Sequence, residues 1–200
     1  MKKLIYILAF LYATNASAQK NKEISVAFMN VGTANPFSQL GTLVTDIKHP
    51  GIEFGYSFNW KNKPKHDWYQ EIKLGYFYHR FVQHALPLYT DLGYRYKFSK
   101  SWTAQTAIGA GYLHSIPATA VLKLQSNGEY QNGKGVGRIQ AIGIVNVGIA
   151  HIFKAASAKP ITVFLTWQQL LQLPFIKSYV PVLPYNSLLA GISLHLKSKK

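Results

Sequence analysis

Apolar and polar residues alternate along most of this chain with a period of two. In residues 51–60, GIEFGYSFNW, one face carries Ile52, Phe54, Tyr56, Phe58 and Trp60, and the other Glu53, Gly55, Ser57 and Asn59. Successive side chains of a strand point to opposite faces, so strict alternation predicts a strand with two unlike environments. Residues 68–79 repeat the split. There Trp68, Ile72, Leu74, Tyr76 and Tyr78 oppose Tyr69, Glu71, Lys73, Gly75, Phe77 and His79. In 88–98, Leu88, Leu92, Tyr94, Tyr96 and Phe98 oppose Asp91, Gly93, Arg95 and Lys97. In 102–113, Trp102, Ile108 and Tyr112 oppose Thr103, Gln105, Gly109 and Gly111. Strands are also predicted over 23–30, 138–153, 161–168 and 187–196, which makes eight.

The connections alternate in length. KNKPKH, SKS and KAASAKP are short, whereas 31–50, 80–87, 114–137 and 169–186 are long. Short turns on one side and long loops on the other predict an all-β fold, an eight-stranded antiparallel up-and-down transmembrane β-barrel. An even strand count returns both termini to the short-turn side, which in such a barrel is periplasmic.

Alternation does not say which face is the core, because a soluble barrel would turn its apolar face inward. Three features turn it outward. Trp60, Trp68 and Trp102 fall near the short turns, and Tyr78, Tyr112 and Trp167 near the long loops, as two aromatic girdles at membrane interfaces would. Glycine falls mainly on the polar face, where a narrow lumen crowds the backbone. That face also carries both signs of charge. Glu53, Glu71, Lys73, Asp91, Arg95 and Arg138 are predicted to form a lumen ion-pair network, with Glu71, Lys73, Asp91 and Arg95 in contact. The interior of eight strands is about filled by side chains, and charges buried there must pair.

Composition adds a destination. MKKLIYILAFLYATNASAQ has a basic start, an apolar run over Leu4–Tyr12 and an Ala16-Ser17-Ala18 step, which predicts a signal peptide over 1–18 and a barrel domain over 19–200. Removing Lys2 and Lys3 with it leaves 20 of the 22 Lys and Arg against 7 Asp and Glu, a net +13. A basic exported protein meets anionic lipid or lipopolysaccharide phosphate, not nucleic acid. There is no cysteine, so thiol chemistry and disulfides are excluded.

Taken together, the alternation, the strand count, the turn asymmetry and the signal peptide resemble the small eight-stranded outer-membrane β-barrel proteins of Gram-negative bacteria. The resemblance is architectural and spans nearly all of the mature chain. It implies an outer-membrane location, membrane lipids and lipopolysaccharide as partners, and a monomer. Members of that group include structural barrels, small-solute channels, adhesins and lipid A-modifying enzymes. Such chains often end on an aromatic, whereas this one ends SLHLKSKK.

Candidate chemistry is confined to the long-loop rim, where His49, His79, His84 and His114 collect. No pair has a tight metal-ligand spacing on one strand face, so neither a metal nor a cofactor is expected. The resemblance to lipid A deacylases, small barrels with a His, Ser and acid site, makes His114 and Ser115 candidates, with His79 and His84 as a weaker alternative. Neighbours on a strand point to opposite faces, however, so His114 and Ser115 form a dyad only where the strand has broken. The expected function is a barrel with a plugged polar lumen that is structural or interacts through its outer loops. The alternatives are a deacylase-like hydrolase at the outer rim and a narrow channel. Arg80 is expected at lipopolysaccharide phosphate. The apolar segment 170–186 is expected to extend the last two strands or fold over the mouth, and 124–137 to form an exposed hairpin.

Overall fold

In the computed structural model the described residues are 22–33, 41–45, 49–120, 122–133, 135–153, 160–176 and 179–196. The expected signal peptide lies outside them.

Eight strands close into an antiparallel barrel. They are β1 (Lys22–Thr33), β2 (Pro50–Asn62), β3 (His66–His79), β4 (Gln83–Lys97), β5 (Trp102–Pro117), β8 (Arg138–Phe153), β9 (Ile161–Leu173) and β10 (Leu183–Leu196), with β10 paired back onto β1. Between β5 and β8 lies a small separate hairpin of β6 (Leu122–Leu124) and β7 (Tyr130–Asn132). A single helical turn, α1 (Thr42–Thr45), precedes β2. Among the described residues no helix is long and apolar enough to cross a membrane.

The predicted faces are the observed ones. Phe54, Trp60, Trp68, Ile72, Leu74, Leu92, Ile108, Leu165 and Ile192 are exposed on the outer wall, while Glu53, Ser57, Asp91, Thr166 and Ser193 are buried inside. A water-soluble protein would not expose such a belt, since contiguous apolar patches on soluble monomers rarely exceed a few hundred Å².

The strands run further toward the long loops than the sequence suggests. The segment 80–87 reads as a loop, yet β4 begins at Gln83 and the connection is only 80–82. The alternation simply continues, with Gln83, Ala85 and Pro87 buried and Leu86 exposed. Pro87 obscures this in the sequence. It has no N–H to give, and the β3–β4 ladder skips from Leu74↔Leu88 to Phe77↔Ala85 without changing register. Strands β9 and β10 likewise extend to Leu173 and from Leu183, and Gln172 pairs with Leu183.

Inside, large and absent side chains are matched across strands. Lys73 lies opposite Gly55, Glu53 opposite Gly75, Tyr69 opposite Gly93, Asp91 opposite Gly109 and Tyr89 opposite Gly111. At Gly93, Gly109 and Gly111 an added Cβ would run into Tyr69, Asp91 and Tyr89 themselves, and at Gly55 into Glu71 and Ser25.

Candidate functional site

The short-turn half of the lumen is an ionic plug. Lys73 Nζ lies 3.5 Å from Glu53 Oε1, 3.4 Å from Glu71 Oε2 and 3.4 Å from Asp91 Oδ2. The carboxylates have further donors. Tyr89 Oη donates to Glu53 Oε2 at 2.6 Å, Ser25 Oγ to Glu71 Oε1 at 3.0 Å and Asn146 Nδ2 to Asp91 Oδ2 at 2.9 Å. Gln168 in turn donates to Tyr89 Oη at 2.8 Å. These residues come from β1, β2, β3, β4, β8 and β9, so the plug ties most of the wall together.

A second ion pair lies apart from the first. Arg95 donates to both oxygens of Glu23, Nη1 to Oε1 at 3.0 Å and Nη2 to Oε2 at 3.3 Å, with its guanidinium carbon 4.9 Å from the Tyr69 ring centre. Ser193 also donates to Glu23, and His195 Nδ1 lies 3.3 Å from it. Lys97 donates to Asp67 at 2.8 Å. The expected contact of Arg95 with Glu71, Lys73 and Asp91 is therefore corrected. Glu23 stands across the lumen and takes the bidentate geometry that suits a guanidinium. Arg138 is corrected too. It lies at the exposed long-loop edge of β8 with its guanidinium carbon 5.5 Å from the Phe175 ring centre. Arg138 keeps its inward parity and pairs with Ser115, but as the first residue of β8 it sits exposed at the mouth, away from the plug.

Five of the seven acids, Glu23, Glu53, Asp67, Glu71 and Asp91, are thus in the lumen. The sequence reading missed Glu23 and Asp67 as members, though their parity with Ser25 and Tyr69 marks both as inward. Beside the plug lies a cavity of about 40 Å³ lined by Glu23, Glu53, Glu71, Lys73 and Arg95, among others. That is room for a few waters at most.

The long-loop half is different and was not foreseen. It is packed with Met29, Val31, Phe77, Ala85, Leu113, Ile142, Ile144, Leu170, Tyr185 and Leu189. A glutamine relay crosses it: Gln83 Nε2 donates to Gln172 Oε1 at 2.7 Å and Gln172 Nε2 to Gln140 Oε1 at 2.6 Å. Gln140 donates in turn to the Pro174 carbonyl at 2.6 Å. Amides serve here because each both donates and accepts, so a buried row satisfies itself without charge.

At the mouth, the rings of His49 and His79 stack with centroids 3.7 Å apart and an interplanar angle of 9°. Phe81 and Tyr185 meet the pair edge-on. Both imidazoles are buried, and among the described residues neither His49 nitrogen has a hydrogen-bond partner. Asn30 anchors this connection, donating to the Leu43 carbonyl at 2.6 Å and accepting from the His49 N–H at 2.8 Å. Burial holds the His49 imidazole below the ordinary histidine value, and Arg80 adds to the effect. The sign follows. The docked connection binds fewer protons than the undocked one, so its docking is fully favourable above about pH 6.5. Docking weakens as pH falls below that, by at most about 1.4 kcal/mol per pH unit per proton. The protection factor of the 41–45 amides, the exchange rate corrected for the intrinsic rate at each pH, is expected to fall between neutral pH and pH 5, with His49→Phe flattening the dependence. An NMR titration of His49 centred at or above pH 6.5 would contradict this.

The other rim histidines stay apart. His84 points outward, with Nδ1 2.9 Å from Tyr76 Oη. His114 Nε2 donates to the Val136 carbonyl at 2.8 Å. Ser115 is buried on the opposite, lumen face of β5. The strand has not broken at this point, since His114 pairs with Ile139 and Ser115 with Arg138. Among the described residues no hydrogen bond joins Ser115 to a histidine, and no cluster of three or more His, Asp or Glu fits a metal ion.

A closed eight-stranded antiparallel barrel with an apolar wall and a charged, filled interior decides the architecture. The fold is that of the small eight-stranded outer-membrane barrels. No family model matches the chain, and no curated protein is detectably similar in sequence. Solved structures similar to it include the attachment invasion locus protein Ail of Yersinia pestis, in complex with the heparin analogue sucrose octasulfate. That chain is 10% identical, with a TM-score of 0.48, over 89% of this chain and all of Ail. Neisserial surface protein A is 8% identical with a TM-score of 0.47, over 87% of this chain and 95% of its own. The outer membrane enzyme PagL is 12% identical with a TM-score of 0.44, over 84% and 97%. At these identities the likeness concerns the fold alone.

The residues expected in the aromatic girdles lie on the outer wall of this barrel. Trp60, Trp68, Trp102 and Tyr112 are exposed there, and Tyr78 and Trp167 partly so. With five of the seven acids turned inward, the charges left outside the lumen among the described residues are mostly basic.

Proposed function

We propose that this protein is a bacterial outer-membrane barrel with a plugged lumen, termini on the periplasmic side, that acts through its long-loop surface. The observation that carries the reading is the double closure of the lumen: the Lys73 plug in one half and the apolar and glutamine packing in the other. A pore would need a continuous wet path, and the packing around Tyr185, Phe77 and Leu113 supports its absence. The basic exterior supports lipopolysaccharide and anionic lipid as what the loops and turns meet. Arg80 beside Phe81 and Arg138 beside Phe175 are the rim cations best placed for phosphate. A monomer fits a barrel that leaves no strand edge unpaired.

Planar-bilayer recording tests the closure. Purified protein is expected to give no resolved conductance, and steady single-channel steps would replace this reading with the channel. The hydrolase alternative has its own arm. Lipid A from cells with and without the gene is expected to have the same mass spectrum, and a missing acyl chain only where the gene is present would restore it.

A further inference from the structure

The connection between β5 and β8 exposes an apolar face that the barrel does not cover. In the β6–β7 hairpin Leu124 lies opposite Tyr130, and Leu122 is two residues from Leu124, so all three share one face. They are 62%, 67% and 62% exposed for Leu124, Tyr130 and Leu122. A lone two-stranded hairpin is marginal in water, and one that shows an apolar face to water gains nothing from it.

The surroundings indicate what covers this face. On the outer wall, exposed apolar residues continue beyond Tyr112 of β5, with Ile139 at the start of β8 and Val136 just before it both exposed. The returning limb is held against that wall. His114 bonds the Val136 carbonyl, and Gly137, at φ +95°, passes so close that a Cβ would come within 2.5 Å of the Ser115 carbonyl. Exposed apolar residues therefore recur along the returning limb, from Ile139 through Val136 to Tyr130. The connection and the edge of β8 carry Lys123, Lys134 and Arg138 against a single acid, Glu129. That acid is tied to Asn127 at the tip, Nδ2 to Oε2 at 3.1 Å.

We infer that the β6–β7 hairpin docks on the outer-leaflet lipid surface, its Leu122, Leu124 and Tyr130 face at the headgroup–acyl boundary, favoured by the net positive charge of the connection. Interfacial segments bind in this way, through buried apolar area plus attraction to anionic headgroups. The inference rests on the outer-membrane reading above, and the test separates the two.

The chain has no cysteine, so single-cysteine variants can be labelled cleanly with an environment-sensitive fluorophore. Ile108→Cys marks the lipid-facing wall, Leu124→Cys and Tyr130→Cys the hairpin face, and Asn127→Cys its tip. All four positions are exposed, so substitution removes no core packing. The labelled proteins are reconstituted in phosphatidylcholine–phosphatidylglycerol vesicles, with and without lipopolysaccharide, and quenched with spin-labelled lipids. Labels at 124 and 130 are expected to be quenched to at least about half the extent seen at 108, with 127 unquenched. Quenching at 108 alone would overturn the docking and leave the membrane reading intact. No quenching at 108 would overturn both. A blue-shifted but unquenched label at 124 would place the face against protein and also overturn the inference. Leu122→Asp, which leaves the barrel untouched, is expected to lower quenching at 130 several-fold, and an unchanged value would count against lipid docking.

Discussion

Lys73→Met is expected to destabilise the barrel by about 3–5 kcal/mol, the range for removing one partner of a buried ion pair. The ammonium lies within 3.5 Å of three carboxylates and is, among the described residues, the one cation that all three share. Methionine keeps the side-chain length but leaves three negative charges facing one another away from bulk water. Urea unfolding of protein refolded into vesicles measures the loss. Neutralising the partners discriminates charge from packing: Lys73→Met with Glu71→Gln and Asp91→Asn should recover most of it. Asparagine and glutamine keep the shapes and remove the repulsion. A single Lys73→Met variant within about 1 kcal/mol of wild type would mean that the plug is no more than a solvated cluster.

Gly111→Val is expected to prevent folding. Gly111 lies opposite Tyr89 on the neighbouring strand. A Cβ there would meet the Leu88 carbonyl oxygen and lie 2.5 Å from Tyr89 Cα. Those are backbone atoms in the wall, so no rotamer change relieves the clash. Any shift would also displace the Tyr89 hydroxyl that donates to Glu53. Gly143→Ala is the comparison, because nothing lies within 4 Å of its Cβ position. That change is expected to stay within about 0.5 kcal/mol. Yield of the folded, heat-modifiable form after refolding separates the two, and equal yields would refute the crowding argument.

How much of this was legible beforehand depends on what each signal measures. Alternation in GIEFGYSFNW and WYQEIKLGYFYH reads out the face of each residue, because a strand has a period of two. It therefore located the outward Phe54, Trp60 and Trp68 and the inward Glu53, Glu71 and Lys73. Parity carries no height, and in a tilted, staggered barrel the height decides which inward groups meet. Arg95 shares a face with Lys73 and Asp91, yet it reaches Glu23, 72 residues away. Arg138 has inward parity but is exposed at the mouth, beside Phe175 and not in the plug. The rim histidines show the same gap. Their common level was readable, but the stacking of His49 on His79 depends on how a loop returns, which no local pattern encodes.

The sequence by itself determined the strand number, the antiparallel barrel, the apolar exterior and the charged interior, since each follows from periodicity, turn spacing and composition. Only the tertiary structure decided which charges pair, that the long-loop half of the lumen is apolar and sealed by glutamines, and that the barrel mouth is capped by two stacked imidazoles. Those features arise where strands distant in sequence are brought to one level by the register of a closed sheet, and that register is a property of the whole ring rather than of any one strand.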